Sequence, residues 1–241
     1  MQYNNQSMTP PPFYGGQDVA RQVNSVMKKV YFRMFIGLLI SAFCALSIAS
    51  SPSALQFIYG NSIVYWGMLI AMLVMAFVIP ARLQKMSTGT TLVMFIIFAA
   101  LMGAFLSSIF LVYRIGSIVY TFFITAGTFG AMSVFGYCTK QDLTRIGSFL
   151  IMALFGLIIA SIVNIFLANN TMEWVISIIG VLVFVGLTAF DTQQVKRMAM
   201  MTPDPAMSDK LATMGAMNLY LDFINLFLYL LRIFGGGDSR N

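Results

Sequence analysis

Seven stretches of this chain run for about twenty residues with almost no charge, the length a helix needs to cross the ~30 Å hydrocarbon core of a bilayer. They are Val30–Ser50, Ile63–Ala81, Thr91–Tyr113, Ile115–Cys138, Ile146–Ala168, Trp174–Met198 and Leu211–Phe234. Little more than Arg114 and Gly116 separates the third from the fourth, but together they are too long for one span, so the break falls there. The sixth is apolar only to Phe190 and is carried further because Asp191-Thr-Gln-Gln-Val195 contains no helix breaker; Pro203 and Pro205 then stop it. Apolar and aromatic residues make up 59% of the chain and charged ones 9%, against about 25% charged in a soluble domain. No water-facing surface of this size could be built from such a composition, whereas lipid is an apolar solvent for the outward faces. The fold class predicted is an all-α integral membrane protein of seven transmembrane helices. Residues 1–29 are polar, carry Pro10, Pro11, Pro12, Gly15 and Gly16, and are expected to be a disordered tail. Residues 30–234 form the membrane domain and residues 235–241 a short C-terminal tail. The polar start is too long for the n-region of a signal peptide, so Ala49-Ser50-Ser51 belongs to a retained anchor rather than a cleavage site.

Orientation follows from the positive charges. Of the 14 Lys and Arg residues, Arg21, Lys28, Lys29, Arg33, Arg82, Lys85, Lys140, Arg145, Lys196, Arg197 and Lys210 fall in the tail and the even-numbered loops. Only Arg114, Arg232 and Arg240 fall on the other side. The N-terminus is therefore expected in the cytoplasm and the C-terminus outside. Small residues that let helices approach closely stand at Gly127, Gly130 and Gly136 in the fourth span, and at Gly156 with Ala160 in the fifth.

Several functions drop out on residue types alone. There is no histidine, which removes Ser-His and Cys-His catalysis and every His-containing metal site. The net charge of +6 comes from scattered residues without basic blocks, so nucleic acid is not a partner. Cys44 and Cys138 both lie at spans, which argues against a disulfide framework. The 19 methionines are read as adaptable packing.

Charge inside a span is costly and marks function by default. Asp222 lies near the middle of the last span, and a helical pitch puts Asn218, Asp222, Asn225 and Tyr229 on one face, expected to line the bundle interior. Asp191 sits toward the cytoplasmic end of the sixth span, at a height similar to Asp222. Arg82 closes the second span on the same side. Two neighbouring carboxyls would share a proton and titrate as a unit, and a nearby Arg82 would tether the ionised form, which makes a proton-sensitive latch. The plainer alternatives are that Asp191 caps its helix or sits among headgroups, that Asp222 is a buried hydrogen-bond anchor, and that Arg82 is an ordinary cytoplasmic charge.

The run Leu219-Tyr-Leu-Asp222-Phe-Ile-Asn225-Leu-Phe, continuing to Leu231-Arg232-Ile-Phe, resembles the last helix of the transmembrane Bax inhibitor motif family. Ala189-Phe-Asp191-Thr-Gln-Gln, after Gly180 and Gly186, resembles its sixth helix, and Thr139-Lys-Gln-Asp142-Leu-Thr the loop between its fourth and fifth. The similarity extends from about Val30 onward. It implies a last helix at the centre, wrapped by the other six. It also implies that Asp191 and Asp222 are an acidic pair gating a pH-sensitive calcium leak, with a basic residue at the end of the second helix for which Arg82 stands. Eukaryotic relatives are linked to suppression of cell death, whereas the short tails here look bacterial, implying the cytoplasmic (inner) membrane.

Calcium wants about six to eight oxygens, so Asp191 and Asp222 with Asn218, Asn225 and backbone oxygens suit a weak, hydrated stop on a path better than a storage site. Calcium is then the permeant ion, with no cofactor and no enzymatic role. The expected partners are the lipid bilayer, calcium ions, protons and other membrane proteins. A non-conducting regulator of a membrane protease or stress machinery is the alternative. An intramembrane aspartyl protease is a third, although the Gly-x-Gly-Asp pattern is missing before Asp222.

Overall fold

The computed structural model describes residues 16–202 and 204–235, and within them the chain forms nine helices. These are α1 (Gly16–Ala49), α2 (Pro52–Tyr59), α3 (Ser62–Ala81), α4 (Thr88–Leu106), α5 (Ile109–Val112), α6 (Ile115–Cys138), α7 (Thr144–Leu167), α8 (Asn170–Met201) and α9 (Pro205–Gly235). Seven spans long and apolar enough to cross a membrane result, the third made of α4 and α5 together. Side-chain caps fix the starts: Asn61 accepts from Ile63 N at 3.0 Å, Ser87 from Thr90 N at 3.1 Å, and Asn169 from Met172 N at 3.0 Å. Asp204 accepts from Ala206 N at 3.2 Å and Met207 N at 3.0 Å, and Pro205 opens α9 in the first turn, where its missing N–H costs nothing. Pro203 lies outside the described residues.

The first helix departs from expectation. It begins at Gly16 rather than near Val30, so the stretch 16–29, expected to be disordered, is helical; residues 1–15 and 236–241 lie outside the described residues. The physical reason is an apolar stripe of helical period, with Val23, Val26, Met27 and Val30 all buried while Arg21, Ser25, Lys28 and Lys29 stay exposed. Burying such side chains is worth about 1.5–3 kcal/mol each, enough to override a polar composition. At a rise of ~1.5 Å per residue, α1, α8 and α9 are each about 46–51 Å long, well beyond the ~30 Å hydrocarbon core. All three project at the same end, because the amide of Gln22 donates to the carbonyl of Thr202 in the α8–α9 turn and lies 3.3 Å from Ser208 Oγ.

The last helix stands at the centre. Buried residues run along α9 from Ser208 to Gly235, and it packs directly on α8, α1, α6 and α4. The spans α3 and α7 stand outside that ring: α3 packs on α4 and α2, and α7 on α8. Phe43, Phe77, Phe155 and Ile165 are among the large apolar side chains left on the outer faces for lipid. Tyr220 is fully buried at the α1–α4–α9 junction, with Phe95 and Phe98 edge-on to its ring at 5.7 and 6.2 Å. Its oxygen is 2.7 Å from Ser41 Oγ. Ser41 gives its single proton to a carbonyl, Ala99 O at 2.7 Å being nearest, so Tyr220 is the donor of that pair.

Between α4 and α5 the third span breaks at Ser107-Ser108, and Tyr59 of α2 repairs it. Its hydroxyl is 2.9 Å from Phe105 O and 3.0 Å from Ser107 Oγ, and it accepts from Ser108 N at 3.1 Å. A break at this depth is tolerated because a side chain satisfies the freed backbone groups.

The glycines sort into two groups. A Cβ on Gly136 would lie 2.2 Å from Ala189 O of α8, and one on Gly103 would lie 2.4 Å from Ser41 O of α1; both mark backbone-to-backbone approach. Gly127, Gly130 and Gly156, expected to pack likewise, have open space at that position. A small residue permits close approach only where a helix stands opposite, and α7 presents Gly156 outward. Gly136→Val should therefore lower the stability of the detergent-solubilised protein by at least about 1–3 kcal/mol. Gly156→Ala should leave it unchanged or raise it by up to about 1 kcal/mol through helix propensity. Denaturation in graded sodium dodecyl sulfate compares the two.

Candidate functional site

The central feature is a carboxyl pair contributed by two antiparallel neighbours. Asp222 lies seventeen residues into α9 and thirteen before its end. It is 4% exposed, and its Oδ2 has no hydrogen-bond partner among the described residues. Asp191, on the facing helix α8, is partly buried, and the two carboxyls are close enough to interact electrostatically. A buried carboxyl oxygen without a partner is rare in folded proteins and asks for a proton or a cation. No group of three or more acidic, Cys or His side chains suited to a metal occurs among the described residues.

The other residues singled out from sequence divide. Tyr229 reaches α8: its ring is stacked on Phe184 at 5.9 Å and lies against Gly180, whose missing side chain makes the room. Its hydroxyl is within hydrogen-bonding reach of Ser161 of α7, and the Arg232 guanidinium lies 5.5 Å from its ring centre. Asn225 turns the other way. Its amide donates to Leu221 O at 2.8 Å and borders a cavity of about 290 Å³ between α3, α4 and α9. Asn218 is half-buried. The polar stripe thus fans out from the α8 side toward α3 rather than forming one cluster.

Arg82 does not join the pair. It caps α3 through its backbone, its side chain is exposed, and it makes no ion pair among the described residues. The cavity between α3 and α9 separates its helix from the pair, and α9 reaches that corner through Lys210, whose ammonium is 3.4 Å from Gln84 O.

What holds the two helices at this end is a rim of polar contacts, most of them between residues far apart in sequence. On α9, Asp209 binds Arg33 Nη2 at 2.7 Å and Lys29 Nζ at 2.8 Å, while Arg33 Nη1 donates to Asp209 O and Thr213 Oγ1 at 2.6 and 2.7 Å. On α8, two residues past Asp191, Gln193 accepts from Leu143 N at 2.9 Å and donates to Gln141 O at 2.8 Å. Arg197 pairs with Asp142 at 2.8 Å, and Lys196 donates to Tyr137 O at 2.6 Å. The α6–α7 loop singled out from sequence is therefore clamped to the same helix that carries Asp191. Gln193 and Arg197, four apart, share a face and could have been flagged. Arg33 and Asp209 are 176 residues apart and could not.

At the opposite end Asn164, Asn170, Glu173 and Arg232 line a cavity of about 360 Å³. It adjoins a second of about 290 Å³ that reaches Tyr113 and Trp174. Tyr229 lies one turn inward of Arg232, and Asp222 a further seven residues, or about 10 Å, along α9.

Two predictions test the rim. Asp209→Ala leaves a largely buried Arg33 without its carboxylate and should destabilise by about 1–3 kcal/mol. Lys29→Ala, on a side chain that is 49% exposed, should cost under about 1 kcal/mol. Equilibrium denaturation of both variants checks the ranking. The Asp142 carboxyl is held well below the usual carboxylate range by its hydrogen bonds to Thr144 and by Arg197. Its contribution to loop docking is then complete above the ordinary value and is lost as pH falls below about 4. Hydrogen exchange of residues 139–143 should accelerate over that acid range in the wild type and be fast at all pH values in Asp142→Asn.

A family model described as "Inhibitor of apoptosis-promoting Bax1" matches residues 23–239. The inner membrane protein YbhL of Escherichia coli is 47% identical over 215 residues, which is 88% of this chain and 92% of that protein. An uncharacterized protein of Borreliella burgdorferi is 46% identical over 213 residues, with 88% and 92% covered. One of Rickettsia prowazekii is 41% identical over 211 residues, covering 87% and 88%. Seven apolar spans around a central last helix, carrying the quoted motifs at Asp191 and Asp222, agree with these matches: this chain is an integral inner membrane protein that belongs to the Bax inhibitor-1 family.

Proposed function

We propose that the protein is a calcium leak pathway whose opening is governed by protonation of the Asp191–Asp222 pair. The observation that carries this is the unpartnered Oδ2 of Asp222, 4% exposed at the core of the bundle with a second carboxyl as its electrostatic neighbour. Two carboxylates in a medium of low dielectric cannot both stay ionised without a compensating positive charge. A proton or a divalent cation can supply it, and the two compete for the same oxygens. With two carboxylates and no third among the described residues, a calcium ion would keep much of its water, as a transient stop on a conduction path requires. The route would lead from the cavity at Glu173 and Arg232, past Tyr229, to the pair, and out through the rim of α8 and α9. The basic rim at Lys29, Arg33, Lys196 and Arg197 supports a cytoplasmic position for that end by the positive-inside rule, with the N-terminus inside and the C-terminus outside.

The latch is different from the one expected on sequence. Arg82 makes no ion pair with either carboxyl among the described residues, so the closed state rests on the helix contacts of α8 and α9 and on the rim clamps.

The test is calcium entry into dye-loaded proteoliposomes between about pH 6 and about pH 8. Wild type should show a pH-dependent flux, and Asp191→Asn/Asp222→Asn a flux that no longer responds to pH. Arg82→Ala should behave as wild type. Absence of flux in every sample would replace conduction by a non-conducting regulatory role with the carboxyls as structural anchors, and an unaltered pH response in the double variant would remove the pair from the gate.

A further inference from the structure

At the rim end a groove of about 560 Å³ runs between α1 and α6, separate from the carboxyl pair. Met27, Tyr31, Phe129 and Val134 give it apolar walls, while Asn24, Lys28 and Tyr137 stand at its mouth. The wall is recessed at Gly130, where an added Cβ would meet nothing within 4 Å. Ser133 lines the groove with a hydroxyl that has no hydrogen-bond partner among the described residues, although the residue is only 4% exposed. Tyr137 donates to Asn24 Oδ1 at 2.7 Å and so ties the two walls together.

Two properties define what fits there. The charge at the mouth is of one sign: Lys28 is exposed and makes no ion pair among the described residues, the Lys196 ammonium lies 4.6 Å from the Tyr137 ring centre, and none of the lining side chains is acidic. The interior is apolar but offers one hydroxyl donor part of the way down.

We propose that this groove is a binding site for an anionic phospholipid of the adjoining leaflet. One acyl chain lies against Phe129, Gly130 and Val134, an ester carbonyl accepts from the Ser133 hydroxyl, and the phosphate faces Lys28 and Asn24. The site does not depend on ion conduction. Basic side chains at the edge of an apolar pocket between helices are the chemistry that selects acidic headgroups.

The experiment is native mass spectrometry of the full chain in mild detergent, titrated with phosphatidylglycerol or with phosphatidylcholine. Wild type should retain one phosphatidylglycerol saturably and in preference to phosphatidylcholine. Lys28→Gln should weaken phosphatidylglycerol binding about fivefold, the effect of one basic side chain beside an anionic headgroup, and leave phosphatidylcholine unaffected. Gly130→Leu fills the recess and should reduce retention of both lipids at unchanged thermal stability. Should that variant fail to fold, Lys28→Gln decides alone. Equal retention of the two lipids by wild type, or wild-type affinity in Lys28→Gln, would overturn the site. So would a wild-type dimer that Gly130→Leu splits into monomers, since the groove would then be a protein interface.

Discussion

Helices in a bilayer gain little by hiding apolar side chains from one another, because the surrounding lipid is equally apolar; they associate where backbones approach closely or polar groups meet. Everything in this bundle follows from where those two conditions are satisfied. Gly136 lets α6 rest on the backbone of Ala189, Gly103 lets α4 rest on Ser41, and Gly180 makes room on α8 for the Tyr229 ring. These contacts bring α8 against α9 and α6, α1 against α4, and so settle which helix is surrounded and which remain peripheral. Among the described residues neither α3 nor α7 makes a backbone-to-backbone approach to α9, and these are the spans left on the outside.

The carboxyl pair is placed by this packing rather than by bonds of its own. Among the described residues neither aspartate is tied by an ion pair, yet the helices that carry them are anchored by polar contacts: α8 through Gln193 and Arg197 to the α6–α7 loop, α9 through Asp209 to Arg33. A change in the charge of the pair is therefore opposed by fixed polar contacts between about half a turn and three and a half turns away along the same helices, which is the arrangement in which a local electrostatic event can bias a larger shift between packed elements. Under the proposed function, the rim sets how much the pair must change before α8 and α9 move.

Features whose signal is local were legible in the sequence. Apolar runs marked the spans, and a charge within such a run singled out Asp191 and Asp222, because a carboxyl at lipid depth is costly. Features that depend on long-range company were not. The helical start of α1 hid behind a polar, Gly- and Pro-containing composition, although Val23, Val26, Met27 and Val30 already carried the period. Gly156 and Gly136 look alike as letters and differ only in whether a neighbour stands opposite. Arg82 lay at the right end of its span, but depth along one axis says nothing about distance across the bundle, and a cavity separates α3 from α9. Asn225 shares a helical face with Asp222, yet a face some 60° wide spans two neighbours in a crowded bundle.

The depth of Asp222 has one more consequence. Its place thirteen residues, or about 20 Å, from the end of α9 opposite the rim puts its carboxyl inside the electric field of an energised membrane. An elementary charge moved through the full field is worth about 2.3 kcal/mol per 100 mV. A proton reaching that depth crosses part of the field, so its binding gains or loses on the order of 1 kcal/mol with the sign of the potential. Under the proposed function, occupancy of the pair would respond to membrane voltage as well as to acidity, and a cell that lost its membrane potential would alter this site without any change in the pH on either side.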